Sequence, residues 1–69
     1  MKTNKIQLNG KTVSIEDGMT IGDLIREKGL DPGTVVVEHN RIIIDTTDLD
    51  RIAPAQHDVL EMLTFVGGG

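Results

Sequence analysis

Apolar and polar residues alternate from Lys5 to Ile15, with Ile6 and Leu8 before an Asn9-Gly10 pair and Val13 and Ile15 after it. Alternation of period two across Asn-Gly predicts two antiparallel strands joined by a tight turn. At Thr20 the spacing becomes helical: Ile21, Leu24 and Ile25 fall on one face of "TIGDLIREKGL". Thr20 is the predicted N-cap, with Asp23 three residues on in a shortened capping box. Gly29 occupies the place of a left-handed stop, and Leu30 supplies the apolar contact beyond it.

After the turn residues Asp31-Pro32-Gly33, two β-branched runs, Val35–Val37 and Ile42–Ile44, flank a polar link at Glu38–Arg41 and predict a second hairpin. The stretch "TTDLDRIAPAQHD" reads as irregular, with Pro54 excluding a long helix and one short turn expected around Asp48–Arg51. "VLEMLTFV" is the last strand. The order is ββαβββ, an α+β chain whose single helix covers one face of a mixed sheet of four to five strands and leaves the other to water. Alternation sets Leu60, Met62, Thr64 and Val66 against Val59, Glu61, Leu63 and Phe65. Burying Glu61 under the helix would desolvate a charge, so the first set is the expected core and Leu63 and Phe65 lie on the open face.

Sixty-nine residues make one small domain, spanning 1–69, with 66–69 expected as a flexible tail. The chain has no cysteine, which excludes disulfides, thiolate metal sites and a thiol nucleophile. Eleven acidic against seven basic residues give a net charge of −4 without any run of one sign. With one aromatic and no basic cluster, the chain lacks the means to neutralise phosphates or stack bases, so nucleic acid is not an expected partner. No stretch has the length of a membrane span or the pattern of a secretory signal, and the expectation is a cytoplasmic protein, monomeric when free.

Catalytic chemistry finds few instruments here. The hydroxyls stand in no nucleophile motif, and His39 and His57 fall in expected turns eighteen residues apart, where a solvated surface role is the ordinary one. Asp45, Asp48 and Asp50 lack the glycine and bidentate glutamate of a calcium loop and read as loop-solvating groups. Gly18 and Gly22 are not followed by the Lys-Ser/Thr of a phosphate-binding loop. No catalytic residue and no metal site is assigned.

The ending "LTFVGGG" is different. Glycine composition alone suits a frayed end, yet Gly67, Gly68 and Gly69 follow an apolar strand without a polar spacer and sit beside Leu63 and Phe65. Without Cβ atoms such a segment enters a narrow cleft, and three extended residues reach about 10 Å.

"IQLNGKTVSI", "TIGDLIREKGL", "VVVEHNRIII" and "DVLEMLTFVGGG" together resemble the ThiS-type sulfur carrier proteins of thiamine biosynthesis, over essentially the whole chain. The resemblance implies a ubiquitin-like β-grasp fold with the first and last strands parallel at the centre of the sheet. It implies a carrier, not an enzyme, with no stably bound cofactor. A ThiF-type, E1-like enzyme would use MgATP to adenylate the carboxylate of Gly69. Sulfur from a cysteine-desulfurase persulfide relay would displace AMP and leave a thiocarboxylate, which a ThiG-type thiazole synthase would consume. Gly68 matches the second glycine of the family's pair, and Gly67 is an additional flexible residue. A docking patch of Leu63, Phe65 and Val66, joined by Val36 or Ile43, is expected for these partners.

One departure is local: where the family often has an Asp-Gly-Asp-like turn before the last strand, this chain has Gln56-His57-Asp58. The small subunit of molybdopterin synthase shares the fold and the terminal glycines, but its tail usually carries a proline that "LTFVGGG" lacks. A lysine-conjugated modifier ranks third. An alternative of another class is a β-grasp binding module whose terminal glycines are incidental.

Overall fold

The computed structural model describes residues 2–64. Strands β1 (Thr3–Leu8) and β2 (Lys11–Glu16) form the first hairpin, in a register that pairs Leu8 with Lys11, Ile6 with Val13 and Asn4 with Ile15. Asn9 and Gly10 both have positive φ, 50° and 82°. That backbone matches the right-handed twist of the strands it joins, which is why Asn-Gly is the preferred sequence there.

The first donors of helix α1 (Ile21–Glu27) all find partners. The N–H groups of Ile21 and Gly22 donate to the carbonyls of Ile52 and Leu49, 2.9 Å each. The Asp23 N–H donates to Thr20 Oγ1, while the Thr20 N–H donates back to Asp23 Oδ2, closing the expected capping box. At the other end Gly29 has φ 78°; its N–H donates to Arg26 and that of Leu30 to Ile25. This pair of bonds is the Schellman arrangement, and Leu30 folds back onto the core as the motif requires.

Strands β3 (Val35–His39), β4 (Ile42–Ile44) and β5 (Val59–Thr64) complete one five-stranded sheet in the order β2-β1-β5-β3-β4. β1 and β5 run parallel, and the other pairs are antiparallel. The first and last strands are therefore adjacent and parallel inside the sheet, as the β-grasp expectation required. One face carries Ile6, Leu8, Ile15, Val35, Val37, Leu60 and Met62 against Ile21, Leu24 and Ile25 of the helix, all buried. Of the set that alternation selected on β5, Leu60 and Met62 are in the core, Thr64 is exposed at the described end of the strand, and Val66 lies outside the described residues.

Three local expectations change. The link between β3 and β4 is two residues, Asn40 and Arg41, with φ 50° and 73°, because β3 continues through Glu38 to His39. His39 consequently lies in a strand and not in a turn. The short turn in the irregular segment starts earlier than Asp48: a single 3-10 turn spans Thr46–Asp48, with Asp45 accepting from the Thr47 N–H as its cap, and turn geometry continues to Arg51. Leu49, inside this segment, is 2% exposed and belongs to the core.

Candidate functional site

The face of the sheet turned away from α1 is assembled from alternate residues of β3, β4 and β5. Val36 stands opposite Leu63, and Glu38 stands between Glu61 on one side and Ile43 on the other. Leu63 is 71% exposed and Ile43 70%, while Val36 is half-buried. Two exposed leucine-sized side chains share this sheet face with a partly covered valine, and Glu38 and Glu61 stand in the row between Leu63 and Ile43. Two like charges directly opposite on neighbouring strands destabilise by a few tenths of a kcal/mol up to about 1. The Glu38–Glu61 pair thus opposes folding at the centre of this face, and nothing in the packing of the fold requires it. The alternation of β5 pointed to Leu63; Glu38 escaped sequence reasoning because it was read as part of a turn.

Of the expected docking patch, Leu63 is on the open face and exposed as anticipated, and Val36 and Ile43 share that face. Phe65 and Val66, and the tail residues Gly67, Gly68 and Gly69, lie outside the described residues.

The last described turn of β5 has an unusual neighbour. β1 pairs with β5 only at Gln7–Val59 and Leu8–Leu60 before it leaves for the hairpin turn. The Asn9 N–H still donates to the Leu60 carbonyl at 3.0 Å. One residue pair further, the side chain of Asn9 takes over. Its Oδ1 accepts from the Met62 N–H at 2.7 Å, and its Nδ2 donates to the Met62 carbonyl at 3.2 Å.

The other end of β5 is held by polar side chains. Asp58 Oδ2 accepts from His39 Nε2 at 2.7 Å and from the Ala55 N–H at 2.9 Å, and Asp58 Oδ1 accepts from Asn40 Nδ2 at 3.2 Å. Burial pushes the Asp58 carboxyl up, but the hydrogen bonds from His39, Ala55 and Asn40 outweigh it and hold the group below the usual carboxylate range. Asn40 also accepts from the Val59 N–H through Oδ1. His39 is therefore a structural strut, while His57 is exposed in a turn at φ 73°, its N–H donating to the Lys5 carbonyl.

The acidic loop is occupied by its own neighbours. Asp45 caps the 3-10 turn; the Thr47 N–H and then its hydroxyl lower its carboxyl pKa. Asp50 accepts two hydrogen bonds from the Arg26 guanidinium, 2.9 Å each, and Arg26 holds its pKa down. Asp48 lies 4.0 Å from Arg51. Among the described residues, no three metal-ligating side chains converge. Gly22 has a packing role: a Cβ there would run into the Asp50 carboxylate.

This architecture defines the class. A five-stranded mixed sheet with parallel first and last strands and one helix across it is the ubiquitin-like β-grasp, and two solved structures share it. A crystal structure described as thiamine biosynthesis protein (ThiS) from Geobacter metallireducens superposes with a TM-score of 0.74 over 94% of this chain and 99% of that one, at 24% identity. A solution structure of a designed protein based on human erythrocytic ubiquitin superposes with a TM-score of 0.57 over 100% of this chain and 98% of that one, at 25% identity.

The chain belongs to the ThiS family, whose model matches residues 6–69. It is 40% identical to the sulfur carrier protein ThiS of Bacillus subtilis over 65 residues, 93% of this chain and 98% of that protein. It is also 34% identical to a thiazole synthase of Paramagnetospirillum magneticum and 32% to one of Magnetococcus marinus, each over 94% of the chain. The chain spans only about a fifth of the length of those two synthases, 20% in each case.

Proposed function

We infer that this ThiS-family domain is a sulfur carrier of thiamine biosynthesis, a protein substrate rather than a catalyst, and that its reactive group is the carboxylate of Gly69. The observation that carries the reading is its 40% identity to the B. subtilis sulfur carrier across nearly all of both chains. The family match running through residue 69 supports the assignment of the glycine segment to the same role.

The chemistry follows from what a carboxylate lacks. It is a poor electrophile, so its oxygen first attacks the α-phosphorus of ATP in an E1-like, ThiF-type enzyme, forming an acyl-adenylate and releasing pyrophosphate. A persulfide sulfur from a desulfurase relay attacks the acyl carbon and expels AMP, giving an acyl disulfide. A second thiol cleaves its S–S bond, leaving the thiocarboxylate and a disulfide. MgATP is a reactant held by the partner and not a resident cofactor of this chain. The thiocarboxylate is a soft nucleophile suited to a ThiG-type thiazole synthase, and the carrier-like segment within the two thiazole synthases is consistent with that partner. With no cysteine of its own, the domain cannot lose its activated acyl group to an internal thiol.

The partners dock, in this reading, on the face that carries Val36, Ile43 and Leu63, and Phe65, Val66, Gly67 and Gly68 are proposed as further contacts on the way to Gly69. Incubating the chain with the E1-like enzyme, MgATP and a sulfur donor should replace one oxygen by sulfur in the intact mass. Removing Gly69 should abolish that change. An unchanged mass with an enzyme active on its own carrier would refute the reading and leave a β-grasp binding module.

A further inference from the structure

We propose that Asn9 is a positioning residue for carboxyl activation: its carboxamide adds a rung to the β1–β5 ladder and fixes Met62 in the strand that leads to Gly69. The proposal rests on the reading that the chain is activated at Gly69, and it concerns how the carboxylate is delivered.

A parallel strand is held by evenly spaced bonds from its neighbour, and here the neighbour runs out early. β1 ends at Leu8, paired with Leu60, while β5 continues to Thr64. The β1 side of β5 would therefore present the Met62 N–H and C=O to no strand. Asn9 meets both. Its side chain carries an acceptor and a donor in the same planar relation as a peptide group, and the two bonds of 2.7 and 3.2 Å reproduce a rung of sheet. On the opposite side β3 pairs with Leu63 and Thr64 through Val36 and Val35. β5 is thereby held on both edges as far as Met62, and by β3 alone from there to Thr64.

Asparagine is the residue that does this while also accepting φ 50° in the turn. Glycine and aspartate both adopt that conformation, but glycine offers no side-chain group and aspartate offers no donor to the Met62 carbonyl. The turn preference of Asn-Gly and the clamp are therefore separable by substitution.

Asn9 borders the docking face, lining a shallow hollow with Glu38, Glu61 and Leu63, but its carboxamide bonds only Met62, so losing the clamp leaves the apolar side chains of Val36, Ile43 and Leu63 in place for encounter with the partner. It releases the strand that carries the carboxylate, and fewer docked complexes then hold it in line with the α-phosphorus. The expected signature is a fall in kcat for pyrophosphate release with KM for the carrier unchanged, of about fivefold to tenfold in Asn9→Gly. Asn9→Asp, which keeps the acceptor for the Met62 N–H, falls between. Hydrogen exchange of the Met62 amide should accelerate about tenfold or more in Asn9→Gly, relative to amides of β1 and β2 in the same protein. Gly10→Ala is the control. Gly10 has φ 82°, and a methyl group there would meet open space, so alanine strains the same turn while leaving the carboxamide in place. It should lower stability without lowering kcat.

A kcat that drops as far in Gly10→Ala as in Asn9→Gly overturns the proposal, because turn stability then explains both. So does a Met62 amide as protected in Asn9→Gly as in the parent. Failure of the parent chain to release pyrophosphate would overturn the assignment of Gly69 instead, and the exchange measurement would still decide whether the clamp exists.

Discussion

Val36 and Leu63 stand directly opposite each other on β3 and β5, on the sheet face that α1 leaves bare. Leu63 is 71% exposed, so its side chain contributes little to the fold. Replacing it with Asp should lower the unfolding free energy by about 1 kcal/mol, the cost of a further carboxylate beside Glu38 and Glu61 on a central strand. The same change should weaken docking to the E1-like enzyme about tenfold or more, because it places an unpaired charge in an apolar contact. Ile42, 65% exposed but pointing to the other side of the sheet from Ile43, is the matched control. Titration calorimetry on Leu63→Asp and Ile42→Asp separates the two faces; equal losses of affinity would remove the docking assignment.

Leu49 is a core residue supplied by a segment without regular structure. Its side chain is 2% exposed, and its carbonyl accepts from the Gly22 N–H at the start of α1. Leu49→Ala should cost about 2–5 kcal/mol through lost burial and the cavity left behind. For a domain of this size that is a large share of the total, and urea unfolding should show a midpoint shifted far down.

Gly29 terminates α1 in the left-handed region at φ 78°, with open space around it. Gly29→Ala therefore meets no neighbour and loses only through the backbone, about 1 kcal/mol. Asn at the same position should recover part of that loss, since it tolerates the conformation. Thermal melts of the three proteins would rank them Gly, Asn, Ala.

Asp58 makes part of the fold sensitive to acid. Its carboxyl pKa is lower in the folded chain than in the unfolded one. The stabilisation from this carboxylate is therefore fully present above its unfolded pKa of about 3.9 and is lost as pH falls through the lower folded value. Asp58→Asn lacks that ionisation. The stability gap between the parent and this variant should narrow as pH falls below about 5. Urea midpoints measured across that range check this; a gap independent of pH would show that the carboxylate's charge contributes nothing.

Much of the architecture is legible in the sequence, for reasons that are local. Asn9-Gly10 between alternating residues, Thr20 with Asp23, and Gly29 before Leu30 each act within a few residues, and each appears in the structure as the expected turn, cap or stop. Glu61 chose the buried face of β5 because a charge under the helix is too unfavourable. His39 was misplaced for the opposite reason: a polar Glu-His-Asn-Arg run resembles a loop, and only pairing with Leu60 and a hydrogen bond to Asp58 make it strand. Leu49 was hidden because an isolated leucine between aspartates has no periodicity.

Chain order alone contains the strands, the capped helix and the glycine ending, since propensity, turn chemistry and alternation operate between near neighbours. It does not contain the adjacency of Asn9 and Met62, of Glu38 and Glu61, or of His39 and Asp58. These pairs are 53, 23 and 19 residues apart along the sequence, and they meet only when β5 is inserted between β1 and β3. A carboxamide that serves as a turn residue in one dimension becomes a rung of the sheet in three.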